Sequence, residues 1–259
     1  MLSTLERRQQ ILDLTNGQGK VHVEELADQF GVSAVTIRSD LNLLADKALV
    51  IRSRGGALAG KNISKELSID EKHNLQHAVK SKLGRAAAKF INDGESIILD
   101  SGSTTLEIAK QLNRRRDLVV MTNGLNIASA LSNNVGVELL VTGGSLRQKT
   151  LSFYGGHAES SFKNLLFDKL FIGVDGIDYK LGLMTHFEHE ARLNRLMVEN
   201  CRQVIAVADS SKFQRRGYHL IADMQSIDIL VTDDRITPEA KSGIESAGIE
   251  LVLVPHPDD

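Results

Sequence analysis

The sequence predicts an α/β protein with two domains, an N-terminal winged helix-turn-helix domain and a larger C-terminal α/β domain whose sheet is mainly parallel. Near the start of the chain, two short helical patterns are joined by a tight glycine turn and followed by a strand and a glycine-rich hairpin. Short apolar runs then alternate with helical patterns through most of the remaining sequence. This alternation is typical of strands that pair in parallel through helical connections.

The length of 259 residues indicates two domains, because a unit of about sixty residues leaves room for one further core. We expect residues 1–58 to form the winged domain, residues 59–74 to form a polar linker and residues 75–255 to form the α/β domain. The hydrophobic fraction of 42% and the charged fraction of 25% are ordinary for a globular protein.

Composition also restricts the partners and the compartment. No apolar run approaches the ~18 residues that cross a bilayer, and the N-terminus lacks the apolar core of a signal peptide, so we expect no membrane contact. The single cysteine, Cys201, excludes an intramolecular disulfide and suits a reducing compartment. We expect Cys201 to be a small buried side chain on a helix. The eight histidines show no metal-binding spacing, so we expect no metal and no cofactor.

The first domain begins with a helix predicted over residues 5–15, and a second helix is predicted over residues 24–30. Gly31 can end the second helix in a left-handed conformation, and Ser33 can cap a third helix by accepting from an exposed backbone N–H. The apolar residues of the third helix are predicted to form a buried stripe. They are Val35, Ile37, Leu41, Leu44 and Ala48.

The exposed N-terminal end of the third helix is the part that helix-turn-helix proteins insert into the major groove of DNA. After a strand predicted at residues 49–51, a hairpin tip at residues 52–56 places two arginines where they can reach a phosphate or the minor groove. The predicted DNA-binding residues are Ser33, Ala34, Thr36, Arg38, Ser39, Arg52, Arg54 and Gly55. The alternative is a small structural three-helix unit with ordinary solvated arginines.

The net charge makes any DNA contact a local one. The chain has a formal charge of −2, which excludes a generally basic nucleic-acid-binding protein. Residues 1–60 contain seven Lys or Arg and seven Asp or Glu, so this segment is neutral overall. DNA binding must therefore depend on where the charges lie.

A helix is predicted over residues 69–91, where it can either lead into the second domain or mediate dimerisation. Strands are predicted beyond it at residues 96–99, 118–121, 138–141, 169–174, 203–208, 229–232 and 250–254. Helices are predicted between most of them, at residues 106–112, 126–132, 159–166, 189–200 and 238–247.

Polar residues follow five of these strands, at the sheet edge where parallel sheets bind their ligands. The hydroxyls and backbone N–H groups of residues 100–105 form a cradle suited to a phosphate. The alternative is that these residues serve only as turns and caps, an interpretation that residues 122–124 and 142–144 favour when taken alone. The predicted ligand-binding residues are Asp100, Ser101, Gly102, Ser103, Thr104, Thr105, Thr122, Asn123, Gly143, Gly144, Arg147, Asp175, Glu188 and Lys212.

Several motifs in combination resemble the DeoR family of bacterial transcriptional regulators over nearly the whole chain. They are ERRQQIL, VEELADQFGVSAVTIRSDLNLLADKALVIRSRGGA, ILDSGSTT, MTNG, LLVTGG, FDKLFIGVDGID, HEARLNR and VADSSKF. The likeness is to the sugar-catabolism repressors of that family, most closely those for amino sugars and galactitol. One departure is Ser39, which follows Arg38 where members often carry a second basic residue; it shifts the expected DNA contacts toward Arg52 and Arg54.

The resemblance implies a transcriptional repressor of a sugar or hexitol catabolic operon. Its partners would be double-stranded operator DNA, a phosphorylated sugar effector that releases the operator, and further copies of the chain in a dimer or tetramer. It also implies a cytoplasmic protein associated with the bacterial nucleoid.

The second domain also resembles ribose-5-phosphate isomerases, through DSGSTT, VDGID and ADSSK. With VDGID and EARLNR aligned, the catalytic glutamate of the isomerases falls at Leu196, and their lysine segment falls at residues 186–189, where no lysine is present. The resemblance therefore implies a pocket that binds a sugar phosphate without the base for proton abstraction, and hence no enzyme. The alternative is a sugar-phosphate isomerase fused to a DNA-binding module.

Overall fold

The computed structural model describes residues 4–46, 49–59 and 66–257. The first domain is a small helical unit with a three-stranded sheet. Its elements are α1 (Thr4–Gln18), β1 (Lys20–His22), α2 (Val23–Phe30), α3 (Ala34–Asp46), β2 (Val50–Ser53) and β3 (Gly56–Ala59). β3 pairs antiparallel with both β1 and β2, and the β2–β3 hairpin forms the wing. This arrangement confirms the predicted winged helix-turn-helix.

The tight turn between α2 and α3 follows the prediction. Gly31 adopts a left-handed conformation with φ of 61°, which ends α2. The Ser33 hydroxyl accepts a hydrogen bond from the Thr36 backbone N–H at 3.1 Å, and so caps α3.

The buried stripe of α3 is narrower than predicted. Ile37, Leu41 and Leu44 are buried together, because residues three or four positions apart share one face of a helix. Val35 was wrongly placed in this stripe, and it is 71% exposed. It lies two positions before Ile37, which is about 200° around the helix axis. Ala48 lies outside the described residues.

The single helix predicted over residues 69–91 is wrong, because the chain forms two helices, α4 (Ile69–Asn74) and α5 (His77–Ala87). Gln76, between them, is left-handed with φ of 56°. The buried Lys80 ammonium donates to the Leu75 carbonyl at 2.8 Å and also to the Lys72 carbonyl. A side chain thus satisfies carbonyls at the end of α4, and the helix can stop there.

The second domain contains a parallel sheet, two smaller antiparallel sheets and five further α-helices among the described residues. The order is β4 (Ser96–Leu99), α6 (Ser103–Ala109), β5 (Leu118–Thr122), α7 (Leu125–Leu131), β6 (Val137–Val141), β7 (Ser145–Arg147), β8 (Ser152–Tyr154), α8 (Gly156–Ser160), β9 (Phe167–Ile172), β10 (Gly176–Asp178), β11 (Gly182–Thr185), α9 (Glu188–Glu199), β12 (Cys201–Val207), β13 (His219–Ala222), β14 (Ile229–Asp233), α10 (Pro238–Ser246), β15 (Glu250–Val254). Four short 3-10 helices complete the list, at Ala88–Phe90, Leu112–Arg114, Ser210–Gln214 and Met224–Ser226.

Seven strands pair in parallel in the order β15-β14-β12-β9-β4-β5-β6. Alternate residues of each strand point to opposite faces, so Ile98 belongs to one apolar core while Ile97 and Leu99 belong to another. The first core includes Leu193 of α9 and the second includes Leu83 of α5. The sheet is therefore covered by helices on both faces, and the predicted α/β architecture is confirmed.

Each predicted strand of the parallel sheet is present, with bounds that shift by at most two residues at either end. The short antiparallel strands were not predicted: β7 pairs with β8, and β11 pairs with both β10 and β13. They are too short to show a clear alternation in the sequence.

Two local predictions were wrong. The helix predicted at residues 159–166 is only the short α8, and Asn164 beyond it is left-handed with φ of 62°. Cys201 begins strand β12 and is only partly buried, so it does not lie on a helix. Burial raises the pKa of the Cys201 thiol to about 11.

The wing contacts the second domain through apolar side chains. Ile51 of β2 and Leu58 of β3 pack on Met184 of β11, and Leu181 and Leu220 lie against this cluster. The small β10-β11-β13 sheet thus forms the platform on which the wing is placed. None of the helices that the structure describes is long and apolar enough to cross a membrane.

The close packing of α5 on α6 requires a glycine. A Cβ atom at Gly84 would lie 2.6 Å from the Glu107 carbonyl carbon and 2.6 Å from its Cβ. We predict that Gly84→Ala lowers the free energy of unfolding by about 1–3 kcal/mol, because overpacking outweighs the better helix propensity of alanine. Gly156→Ala is the control, since nothing lies within 4 Å of its added Cβ. Urea denaturation compares them, and a Gly84→Ala protein as stable as the wild type would contradict this packing.

Candidate functional site

The start of α3 presents an exposed polar surface. Ser33, Arg38 and Ser39 are exposed, and Ala34 and Thr36 are partly exposed. Arg38 lies 3.7 Å from Glu24, with side chains 52% and 70% exposed respectively. An ion pair this exposed is weak, so the Arg38 guanidinium remains available to an anionic partner.

The two arginines of the wing differ in their surroundings. Arg54 is exposed at the hairpin tip, beside Gly55 with φ of 79°. Arg52 is partly buried, and its Nε donates to Asn42 Oδ1 at 2.9 Å while its Nη1 donates to the Gly56 carbonyl. Arg52 therefore holds β2 against α3, and Arg54 is the freer cation of the wing.

Helix α3 is oriented by a buried carboxylate that is not among the predicted DNA-binding residues. Asp40 of α3 is 1% exposed and accepts from Arg7 Nε at 2.7 Å and from Arg8 Nε at 2.6 Å. These charge-assisted hydrogen bonds fix α3 on α1. Asp40 thus sets the angle at which the exposed end of α3 is presented.

A second polar site, a pocket, lies at the carboxyl ends of β4 and β9. Half of the residues that were predicted to bind a ligand line it, namely Asp100, Ser101, Gly102, Ser103, Thr104, Asp175 and Lys212. The other lining residues were not among those predicted, and they are Ile69, Lys72, Thr150, Gly173, Val174, Thr185, Glu190 and Asn194.

The loop from residue 100 to residue 105 is closed by Asp100. Its Oδ1 accepts from the Gly102 N–H at 3.0 Å and from the Thr105 hydroxyl at 2.6 Å. Burial raises the pKa of the Asp100 carboxyl to about 6. Thr105 is fully buried and does not line the pocket; its hydroxyl shapes the loop, and its ligand contact stays a prediction.

Three hydroxyl groups of this loop face the pocket without a protein partner. Ser101, Ser103 and Thr104 all line the pocket, and their hydroxyls form no hydrogen bond with another described residue. Lys212 lines the same pocket, and its residue is 8% exposed. Burial, only partly offset by Asp209, lowers the pKa of the Lys212 ammonium.

Asp175, between β9 and β10, is the most strongly held carboxylate of the pocket. Its Oδ1 lies 2.6 Å from Lys72 Nζ, and its Oδ2 accepts from the Thr185 hydroxyl at 3.1 Å and the His186 N–H at 3.3 Å. Burial alone would raise the pKa of Asp175, but the charges of Lys72, His186 and Lys212 outweigh it and hold that pKa well below its usual range. Asp175 is therefore ionised at neutral pH.

Helix α9 contributes Glu190 rather than the predicted Glu188. Glu188 is exposed and does not line the pocket, and its ligand contact stays a prediction. Glu190 Oε1 accepts from the Thr150 hydroxyl at 2.7 Å and from the Ser152 hydroxyl at 2.6 Å. Its spacing of four residues from Asn194, which also lines the pocket, is the sequence signal that could have indicated this face.

Arg147 lies beside the pocket but not in its wall. Its Nη2 donates to Glu66 Oε2 at 2.8 Å, its Nη1 lies 3.5 Å from Glu190 Oε1, and its guanidinium stacks over Phe187 at 4.2 Å from the ring centroid. Arg147 is therefore held by two carboxylates and an aromatic ring at the pocket margin, and its ligand contact stays a prediction.

The remaining predicted residues form turns next to the pocket. The Thr122 hydroxyl accepts from the Gly124 N–H at 3.0 Å, and Asn123 Nδ2 lies 3.5 Å from the Phe153 carbonyl. Gly143 and Gly144 have φ of 63° and 99° and form the turn between β6 and β7. None of these four residues lines the pocket, and their ligand contacts stay predictions.

Leu196, the position at which the sequence alignment placed the catalytic glutamate of the isomerases, does not line the pocket. Leu196 lies near Phe162 and Asn200, outside the pocket, while Glu190 and Asn194 are the α9 residues that face it. Within the described ranges, no three His, Cys, Asp or Glu side chains are grouped so that they could hold a metal ion.

An exposed helix-turn-helix surface joined to an α/β domain with a polar pocket defines a DNA-binding regulator with a sensor domain. Residues 7–62 match the DeoR-like helix-turn-helix domain, and residues 75–234 match the DeoR C terminal sensor domain. The chain belongs to the DeoR family of transcriptional regulators. The family resemblance of the sequence motifs is thereby confirmed.

Relatives match over most of their length. The putative aga operon transcriptional repressor of Escherichia coli O157:H7 is 46% identical over 253 residues, covering 97% of this chain and 94% of that protein. The glycerol-3-phosphate regulon repressor of Escherichia coli (strain K12) is 32% identical over 228 residues, covering 88% and 90%. Among solved structures, ribose 5-phosphate isomerase a from Methanocaldococcus jannaschii has a TM-score of 0.40 and 16% identity, covering 53% of this chain and 55% of that chain.

The raised pKa of Asp100 predicts a pH-dependent stability. Its pKa is about 6 in the folded protein against an ordinary value of 3.8, so the folded state binds the proton more tightly. This contribution is full below pH 3.8 and is lost as the pH rises through 6. We predict that the unfolding free energy of the wild type, relative to Asp100→Asn, falls by about 2–3 kcal/mol between pH 4 and pH 7. Denaturation of both proteins at each pH measures the difference, and a constant difference would show that Asp100 is not shifted.

Proposed function

We propose that this regulator represses a sugar or hexitol catabolic operon, and that a phosphorylated sugar in the pocket releases it from operator DNA. The observation that best supports this proposal is the pocket, where unpartnered hydroxyls and a buried lysine adjoin an ionised carboxylate. The names of the relatives agree with it, since one is a repressor of an aga operon and another of a glycerol-3-phosphate regulon.

The pocket is suited to a phosphate because the buried Lys212 and the hydroxyl residues Ser103 and Thr104 all line it. Burial, with Lys72 contributing, lowers the pKa of the Lys212 ammonium, and the nearby carboxylates Asp209 and Asp175 oppose this shift. A phosphate would pair with the Lys212 ammonium and accept hydrogen bonds from Ser103 and Thr104.

The opposite side of the pocket offers acceptors that suit sugar hydroxyls. Asp175 and Glu190 both line the pocket as buried carboxyl groups, and Asn194 adds an amide. A phosphorylated sugar has both features, an anionic end for the lysine and hydroxyls for the carboxylates.

We propose that the pocket binds this ligand without converting it. Each carboxyl group in its wall is already engaged, Asp100 by its own loop, Asp175 by Lys72, and Glu190 by two hydroxyls. In the sequence alignment, Leu196 stands where the isomerases carry their catalytic glutamate, so a base of that kind is not supplied at that position. The isomerase alternative is tested by incubating the purified protein in excess with aldose and ketose phosphates; any conversion would contradict the proposal.

The DNA-binding residues are proposed to be those predicted above, with Arg38 and the start of α3 in the major groove and Arg54 at a phosphate or in the minor groove.

A homo-oligomer, dimer or tetramer, would present two copies of α3 to repeated half-sites. Light scattering of the purified protein measures this state.

Arg38 is predicted to be essential for operator recognition. We expect Arg38→Ala to weaken binding by about 10–100-fold, the loss of one bidentate base contact, with no change in folding. The probe is a duplex selected by the wild-type protein from a random library. Arg85→Ala is the matched control, because Arg85 is exposed on α5 in the other domain. Wild-type affinity in Arg38→Ala would show that α3 does not read DNA through this residue.

The proposed phosphate site is tested by placing a negative charge in it. Ser103→Glu should abolish the thermal stabilisation that sugar phosphates confer, by like-charge repulsion, while operator binding survives. Because Ser103 is buried, Lys212→Met is a second variant with the same expected loss. Ser160→Glu, on the exposed face of α8, is the control. Full ligand response in either pocket variant would remove the phosphate assignment.

A further inference from the structure

The segment that joins the two domains closes the pocket. We call residues 66–74 the strap; it contains α4 and the three residues before it. Glu66 pairs with Arg147 at 2.8 Å and with Lys149 at 3.2 Å. The Ile69 N–H donates to the Lys149 carbonyl at 2.8 Å, and the Ile69 side chain is buried in the pocket wall. The beginning of the strap is therefore fastened to the β7–β8 region of the second domain.

The middle and the end of the strap are also fastened. Lys72, with a side chain 15% exposed, places its ammonium 2.6 Å from Asp175 inside the pocket. Lys80 of α5 donates to the carbonyls at the end of α4. The strap thus places its own cation, the Lys72 ammonium, beside the carboxylate Asp175 in the pocket.

The space that remains is too small for a phosphorylated sugar. The cavity volume is about 50 Å³, which accommodates only a few water molecules. Small-molecule sites usually enclose about 300–1,000 Å³. A ligand that is to reach Asp175 and Glu190 must therefore displace the strap, because the sheet and its helices are close-packed beneath them.

We infer that the strap is a built-in competitor of the effector, and that effector binding removes Lys72 from Asp175 and lifts the strap out of the pocket. This inference rests on the proposed function. The Lys72 ammonium pairs with Asp175 and the Glu66 carboxylate pairs with Arg147, and these are the charged groups that a polar ligand would contact in the pocket and at its margin.

Displacement of the strap reaches the DNA-binding domain through a contact at Asp175. The Asp175 N–H donates to the Met184 carbonyl at 3.0 Å, and the Met184 side chain packs on Ile51 and Leu58 of the wing. A ligand that rearranges the surroundings of Asp175 therefore acts next to the apolar contact that places the wing.

Hydrogen exchange of the full-length wild-type protein tests the inference directly. The probes are a hexose 6-phosphate, a hexosamine 6-phosphate and a hexitol 1-phosphate, each at saturation. With a bound probe, amides of residues 66–74 should exchange about fivefold faster or more, while residues 101–105 become protected. Unchanged or slower exchange of the strap, with residues 101–105 protected, would overturn the inference alone. Protection by none of the probes would count against the proposed function itself.

Variants of the strap provide a readout by affinity. Lys72→Met should bind the probe about fivefold more tightly in calorimetry and should bind operator more weakly without ligand, since the two couplings are reciprocal. Lys72→Arg, which keeps the cation, and Lys82→Met, which removes a lysine of α5 outside the pocket, should behave as the wild type. Glu66→Gln removes the ion pairs of the strap with Arg147 and Lys149. It should also tighten probe binding and weaken operator binding, so it serves as a second variant if Lys72→Met folds poorly. Weaker ligand binding in Lys72→Met would make Lys72 a ligand contact and refute the competitor role.

Discussion

The buried ion pair between Lys72 and Asp175 is the constraint on which the pocket depends. A carboxylate in this position cannot stay ionised without a nearby cation, because desolvation disfavours its charge. The strap supplies that cation, and the removal of one partner from such a pair typically costs about 3–5 kcal/mol. The ion pair thus couples the electrostatics of the pocket to the position of the chain that leads to the wing. A ligand that offers Asp175 other partners competes with this interaction.

The two domains meet on β11, the strand that also contributes Thr185 to the pocket wall. The seven-stranded sheet is covered on both faces by apolar cores, whereas the pocket wall toward the wing consists of the strap and the short β10-β11-β13 sheet. Met184 and Thr185 are neighbours on β11, one packed on the wing and the other bonded to Asp175. A structural change at the site can therefore reach the DNA-binding domain through adjacent residues of β11, without rearrangement of the seven-stranded sheet.

Local signals in the sequence predicted most of the fold because each acts over a few residues. The apolar runs marked the strands of the parallel sheet, and Gly31 and Ser33 marked the turn before α3. The predictions failed where a distant side chain decided the outcome. The helix over residues 69–91 breaks near Gln76, where the Lys80 ammonium satisfies the carbonyls of α4. Helix propensities are assigned to each residue type separately, so they do not account for a contact of this kind.

The sequence by itself determined the two-domain α/β architecture, the winged helix-turn-helix, the family and the polar loop at residues 100–104 that lines the pocket. Only the tertiary structure decided which side chains complete the pocket. Lys72, Thr150 and the α9 pair Glu190 and Asn194 come from three separate segments, and sheet order, the break after α4 and the antiparallel β7–β8 pair bring them together. Hydrogen-bond partners and ion pairs between distant segments depend on packing, which leaves no periodic trace in the chain.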